Sequence, residues 1–231
     1  MNVYRKALCA FGAGAILSLF AAMPTHAAVI LGTEQEGTGG YGLGYSFSED
    51  TNLTVGQSFT LNQPVDLSAI TVFVNGDDTA DPQPSFTLYL TEAIGSAATA
   101  ADVLFSSNAN FPSGFPDEHP AVTFPTSVSL SAGTYYIVLS SGVVEEGGTG
   151  TGWGSGGEIL PSTYGTVGDA YVGITTAQGD YTSLDPENPS AGDHANFQLS
   201  IVPEPTAATL LVPAALLMIR RRRGRCAPGE G

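Results

Sequence analysis

The sequence predicts an all-β fold: a two-sheet antiparallel sandwich, jelly-roll-like, flanked by an N-terminal signal helix and a C-terminal hydrophobic helix. Three observations lead there. Charged residues are only 13% of the chain, while Gly and Pro recur throughout its body, so turn-formers cut it into short pieces. Those pieces alternate apolar and polar side chains with a period of two, as half-buried strands do. The longest charge-free apolar runs lie instead at the two chain ends.

Taken in order, the first segment is a signal peptide over residues 1–27. Arg5 and Lys6 supply the positive start, residues 7–22 the apolar run, and Pro24 the break. Thr25-His26-Ala27 then sets small residues where a signal peptidase inspects the chain, which predicts cleavage between Ala27 and Ala28. Cys9 stands too early in the segment for a lipoprotein site.

Eight strands follow, at 53–61, 68–74, 85–91, 103–106, 121–130, 134–140, 169–174 and 195–202. In 68–74, Ile70, Val72 and Val74 share a face. In 85–91, Phe86, Leu88 and Leu90 oppose Thr87, Tyr89 and Thr91. In 134–140, Tyr135, Ile137 and Leu139 oppose Tyr136 and Val138, and in the last strand Phe197, Leu199 and Ile201 face one way. Residues 91–102 can form one helical turn or two. Strands separated by such turn chemistry pack as two sheets. The body, residues 28–201, is expected to be one domain, long enough to bury a core without covalent staples.

The tail, residues 202–225, has three parts in order, with residues 226–231 as a short extension. Val202-Pro203-Glu204-Pro205 is stiff, because each proline fixes φ and biases its predecessor to an extended shape. Thr206 to Ile219 runs 14 residues without charge. As a helix it would rise about 21 Å against a hydrocarbon core of about 30 Å, short for a permanent span. Pro213 weakens it further. Arg220, Arg221, Arg222, Arg223 and Arg225 then set cytoplasmic orientation by the positive-inside rule. This tripartite tail resembles the PEP-CTERM sorting signal of Gram-negative and related bacteria. The resemblance implies recognition by a membrane-embedded exosortase that cleaves at or near Pro203, Glu204 and Pro205 and discards the helix. The alternative is a plain single-span anchor.

A second resemblance covers the body from about residue 56 to 140. GQSFTLNQPVDLSAITVFV (56–74) and VTFPTSVSLSAGTYYIVLS (122–140) are similar to the "choice-of-anchor" ectodomains that precede such tails. The shared residues are strand core and the Gly133 turn, so the likeness implies a fold and an exported setting, not an activity.

Both Cys9 and Cys226 lie in the end segments, and so does every Lys and Arg. The sequence holds 22 acidic residues, of which Glu204 and Glu230 fall outside the body, leaving 20 and a net charge near −20 with histidines neutral. A body without cysteine excludes disulfides, thiolate catalysis and Cys-ligated zinc there. A body without Lys or Arg can form no Lys/Arg–carboxylate bridge and cannot neutralise phosphates, which excludes nucleic-acid binding and disfavours anionic lipid. Its charge partners are cations.

Candidate chemistry is sparse. Asp77, Asp78 and Asp81 offer hard oxygen ligands to a structural calcium; Asp180, Asp185 and Glu187 form another acidic group. Solvated acidic turns are the default for both. No other cofactor is implied. Trp153, the one tryptophan, lies in the glycine-rich run 147–157, either stacking on a sugar ring or folded back on the sandwich edge. No helix or basic residue follows that run, so it does not cradle a phosphate. The body's histidines, His119 and His194, lack a G-x-S-x-G elbow to serve. The expectation is therefore a non-catalytic surface or extracellular-matrix protein, handled by signal peptidase and exosortase and held by the membrane only through its C-terminal helix. Two alternatives stay open: a carbohydrate-binding module for extracellular polysaccharide, and a glycoside hydrolase with two carboxylates.

Overall fold

Alternation decides the body of the chain, and glycine-rich stretches join it where the sequence alone gives no period. The computed structural model describes residues 27–35, 39–42, 44–46, 51–75, 85–112, 119–141, 151–175, 179–190 and 194–202. The flanking helices expected from the sequence and the residues Pro203 to Pro205, Arg220 to Arg223, Asp77, Asp78 and Asp81 lie outside these. Among the described residues no helix is long and apolar enough to cross a membrane.

The strands are β1 (Ala28–Gly32), β2 (Gly39–Gly42), β3 (Gly44–Ser46), β4 (Thr51–Leu61), β5 (Val65–Asn75), β6 (Ser85–Thr91), β7 (Val103–Asn110), β8 (Ala121–Pro125), β9 (Ser129–Leu130), β10 (Gly133–Ser141), β11 (Gly152–Ser155), β12 (Gly165–Thr175) and β13 (Phe197–Ile201). One antiparallel sheet runs β1-β13-β5-β11-β2, with β8 and β9 also on β5. The other runs β12-β4-β10-β6-β7, with β3 on β4. The fold is all-β. The only helical turn described between the strands is a 3-10 turn, Ala100–Asp102, within the stretch that the sequence allows one turn or two.

The strand pairs nest. β6 pairs β7, β5 pairs β8 and β9, β4 pairs β10, and β1 pairs β13. The chain is thus a long antiparallel hairpin whose successive pairs alternate between the two sheets. The predicted 121–130 strand divides into β8 and β9 at a bulge: between the pairs Ala69–Pro125 and Asp66–Ser129 it carries one residue more than β5, while Thr126 N still donates to Ser68 O at 3.0 Å and Leu67 N to Val128 O at 2.9 Å.

Each predicted face keeps its sorting. Phe86, Leu88 and Leu90 of β6 and Ile137 and Leu139 of β10 join Val55 and Phe59 of β4 in one core. Ile70 and Val72 of β5, and Phe197 and Leu199 of β13, fill that core from the other sheet. Phe59 and Phe197 meet across it, ring centres 5.9 Å apart. Cross-strand hydroxyl pairs, Thr60 with Thr134 and Thr71 with Thr123, each 2.9 Å, decorate exposed faces and contribute about 0.2–1 kcal/mol apiece.

Candidate functional site

Three places gather the residues that sequence reasoning marked or missed. The first is the junction of the domain's two ends. Ala27 is exposed and Ala28 opens β1, directly opposite Ile201 near the end of β13. Val202, the residue before Pro203, is 55% exposed. The signal-peptidase bond predicted between Ala27 and Ala28 therefore lies beside the residue that leads into Pro203-Glu204-Pro205. Sequence separates these positions by almost the whole domain; the β1–β13 ladder brings them together.

The second place is the end of the first sheet where β11 lies between β5 and β2. Trp153 is in β11, fully buried in the core, and its indole Nε1–H donates to the backbone oxygen of Asn196 at 2.7 Å. The ring face that a sugar would need is covered by protein. Of the two placements open to Trp153, the folded-in one holds, and it goes further than the sandwich edge. Buried Asn196 organises this end: its N–H donates to Gly154 O at 2.7 Å, and its side-chain Oδ1 accepts from Gly157 N at 2.9 Å. His119 lies against Gly40 and Gly154, where a Cβ on Gly154 would sit 2.9 Å from the imidazole Cγ, so only glycine lets the ring approach. His194 Nε2 pairs with Gly157 O at 2.5 Å. Both histidines thus belong to one structural network.

The third place is the outer face of the second sheet. Tyr171, Gly56, Val138 and Tyr89 lie side by side across β12, β4, β10 and β6. Residues 179–190 cross this face as a strap. Leu184 drops into the notch at Gly56, where a Cβ would come 2.6 Å from its Cδ1. Tyr181 meets Tyr89 edge-to-face at 5.2 Å and Tyr136 meets Tyr171 at 5.8 Å. Ser140 Oγ donates to Gly179 O, and Gly95 N to Tyr181 O. Tyr89 and Tyr136 stay half-buried, the other two tyrosines buried.

Burial pushes the phenols of Tyr89 and Tyr136 up, with further help from Asp180 and from Tyr171 respectively. A raised folded value favours the neutral phenol, so its stabilisation is complete below the ordinary phenol range near pH 10 and is lost as pH climbs through the folded values. The denaturation midpoint should therefore fall above about pH 10, and Tyr89→Phe with Tyr136→Phe should flatten that fall. An unchanged slope in the double variant would place the alkaline sensitivity elsewhere.

Three of the described carboxylates, Asp102, Asp180 and Asp185, serve turns. Asp180 Oδ1 accepts from Thr182 N and Oγ1 at 2.7 and 2.6 Å, and Asp185 Oδ1 from Glu187 N at 2.9 Å. Asp102 takes both the N–H and the hydroxyl of Thr99, at 2.7 and 2.8 Å, which holds its carboxyl below the usual range. Among the described residues no group of three His, Cys, Asp or Glu could hold a metal ion; Asp77, Asp78 and Asp81 are not among them.

The polar hub that sequence reading missed is Gln57. Fully buried, it accepts from Ala195 N at 2.7 Å and donates to the carbonyls of Ser58, Gly168 and Asp169. It ties β4 to the bulge of β12 and, through Ala195, to the lead-in of β13. The available signal was its parity: it shares a face with Val55, Phe59 and Leu61, all buried. A scan of the chain against protein-family models finds no match, and a search of curated proteins finds none either.

Proposed function

We propose that this chain is an exported, acidic, non-catalytic surface or extracellular-matrix protein, released from its signal peptide after Ala27 and sorted through its C-terminal tail by an exosortase. The observation that carries this reading is the junction of the ends. A domain whose first strand opens at Ala28 and whose last ends at Ile201 fits between the two predicted processing sites. Cleavage at both would remove every Lys and Arg and leave the sandwich whole. The nested strand pairs and the alternation between sheets support a jelly-roll assignment, with β12 added beside β4. Intact mass of the protein from its native host tests the reading. Mature chains should begin at Ala28 and end within Pro203 to Pro205, and deleting the host's exosortase should abolish that C-terminus. A membrane-bound product retaining Arg220 to Gly231 would sink it in favour of a plain anchor.

A second reading, carbohydrate binding, draws support from the half-buried Tyr89 and Tyr136 on the outer sheet face, among hydroxyl-bearing neighbours such as Thr87. Glycan-array binding that falls on Tyr136→Ala while the fold persists would favour it; the absence of any bound glycan would dismiss it.

A further inference from the structure

An open sheet edge is a template for another strand, and folded proteins block such edges with proline, charge, bulges or a covering segment. Most edges here are blocked. Along β1, residues 158–162 run as cover: Leu160 N donates to Gly32 O at 3.0 Å, Glu34 N to Glu158 O at 2.8 Å, and Ser162 Oγ to Ile30 O at 2.5 Å. On the opposite side of that sheet, β8 has five residues between Pro120 and its own Pro125, and β9 has two. β2 has four. In the second sheet, β12 is bulged between Val167 and Ala170, carries Asp169, and is bridged by Ser190.

β7 is the exception. It is eight residues long, VLFSSNAN, without charge or proline, and its single irregularity lies at its first residues. Among the described residues it pairs with β6 alone, and no backbone hydrogen bond falls on its other side. In a body with 20 carboxylates, the run from 103 to 116 is free of charge.

We propose that β7 is a self-association edge, pairing antiparallel with β7 of a second copy of this chain to continue the six-stranded sheet through a twofold axis. Parity narrows the register. Buried faces must continue into buried faces, so the axis passes through a residue rather than between two. Axes at Ser106 and Ser107 overlap seven residues each, and Ser107 is preferred because its overlap, 104–110, leaves out Val103 at the irregular start of the strand. The Ser107 axis sets Phe105 opposite Ala109 of the other copy, large against small on the core side. It also sets Ser106 opposite Asn108, polar against polar on the exposed side. A second copy is the occupant the strand itself fits: uncharged, of matching length, and matched face to face. Charge elsewhere on two acidic bodies repels, so association should strengthen as salt screens it.

The test uses the full chain expressed and exported in its host. Ser107→Cys puts one thiol per copy on the axis, where directly opposed strand residues lie about 4.5–5.5 Å apart between Cα atoms, within disulfide reach. Mild oxidation should give a reducible dimer well above the background set by Cys9 and Cys226 in the unaltered chain. Thr166→Cys, on the exposed face of β12, should give background only. Adding Ser106→Asp and Asn108→Asp should abolish the dimer by setting carboxylates across the seam. A carboxylate at position 108 can still accept the Thr87 hydroxyl that Asn108 accepts at 2.8 Å, so each copy keeps its fold. The proposal is overturned if Ser107→Cys gives no more dimer than Thr166→Cys, if the aspartates leave the dimer intact, or if the thiol introduced at position 107 is captured by a different chain. None of these outcomes depends on where the tail is cut.

Discussion

Replacing Gln57 with alanine lowers the domain's stability by about 3–5 kcal/mol, because a buried N–H and several carbonyls lose their partners and a cavity opens. Ala195 N–H has Gln57 Oε1 at 2.7 Å, and the oxygens of Ser58, Gly168 and Asp169 all face its Nε2. For a domain of this size the loss should appear as a fall in Tm of roughly 10 °C or more. Two further variants separate the causes. Gln57→Met keeps most of the volume, so its cost isolates the hydrogen bonds. Gln57→Glu keeps the acceptor but turns a donor into a carboxylate facing three carbonyl oxygens, in a body with no Lys or Arg to neutralise it. It should be the least stable variant at neutral pH and should recover as acid protonates it. If Gln57→Ala costs no more than an exposed substitution, the hub is not what joins β4 to β12 and β13.

The same residue shows what the sequence did and did not disclose. Alternation found the faces of β6, β10 and β13 because each face has one fate, core or exterior, and side chains report it. It extended poorly to β2, β3 and β11, where runs such as GGYG and GWGS contain too few side chains to show a period. What identifies β11 as a strand is Trp153, which needs both a core and an acceptor for its N–H. The strap at 179–190 looks like a polar loop, and its two anchors, Tyr181 and Leu184, gain meaning only from Gly56 and Tyr89, distant in sequence. Its acidic residues offered oxygen ligands against a default of solvated turns; Asp180 and Asp185 accept local N–H groups and shape turns. The pairing of Ala28 with Ile201, which brings the two ends of the domain together, was equally hidden, since only the ladder between β1 and β13 creates it.

Trp153→Ala should cost about 4–6 kcal/mol, combining the loss of the largest buried side chain with an acceptor on Asn196 left short of a donor. Total stability of a domain is only about 5–15 kcal/mol, so this change alone brings it close to unfolding. Trp153→Phe retains a ring but loses the N–H, and should cost about 1–3 kcal/mol. Chemical denaturation of both variants checks the order, and an alanine variant as stable as the parent would mean that Trp153 is not a core residue. The consequence reaches past stability. A glycan-binding loss on Trp153→Ala would report a collapsed sandwich, not a missing stacking platform, because no face of the indole reaches solvent. Tyr136→Ala is the informative change, since Tyr136 lies half-buried on the outer face and its removal leaves the main core and the Asn196 network intact. Binding that survives Tyr136→Ala and fails only with Trp153→Ala would therefore count against carbohydrate recognition at either residue, and would leave the acidic sandwich to act through its edges and its charge.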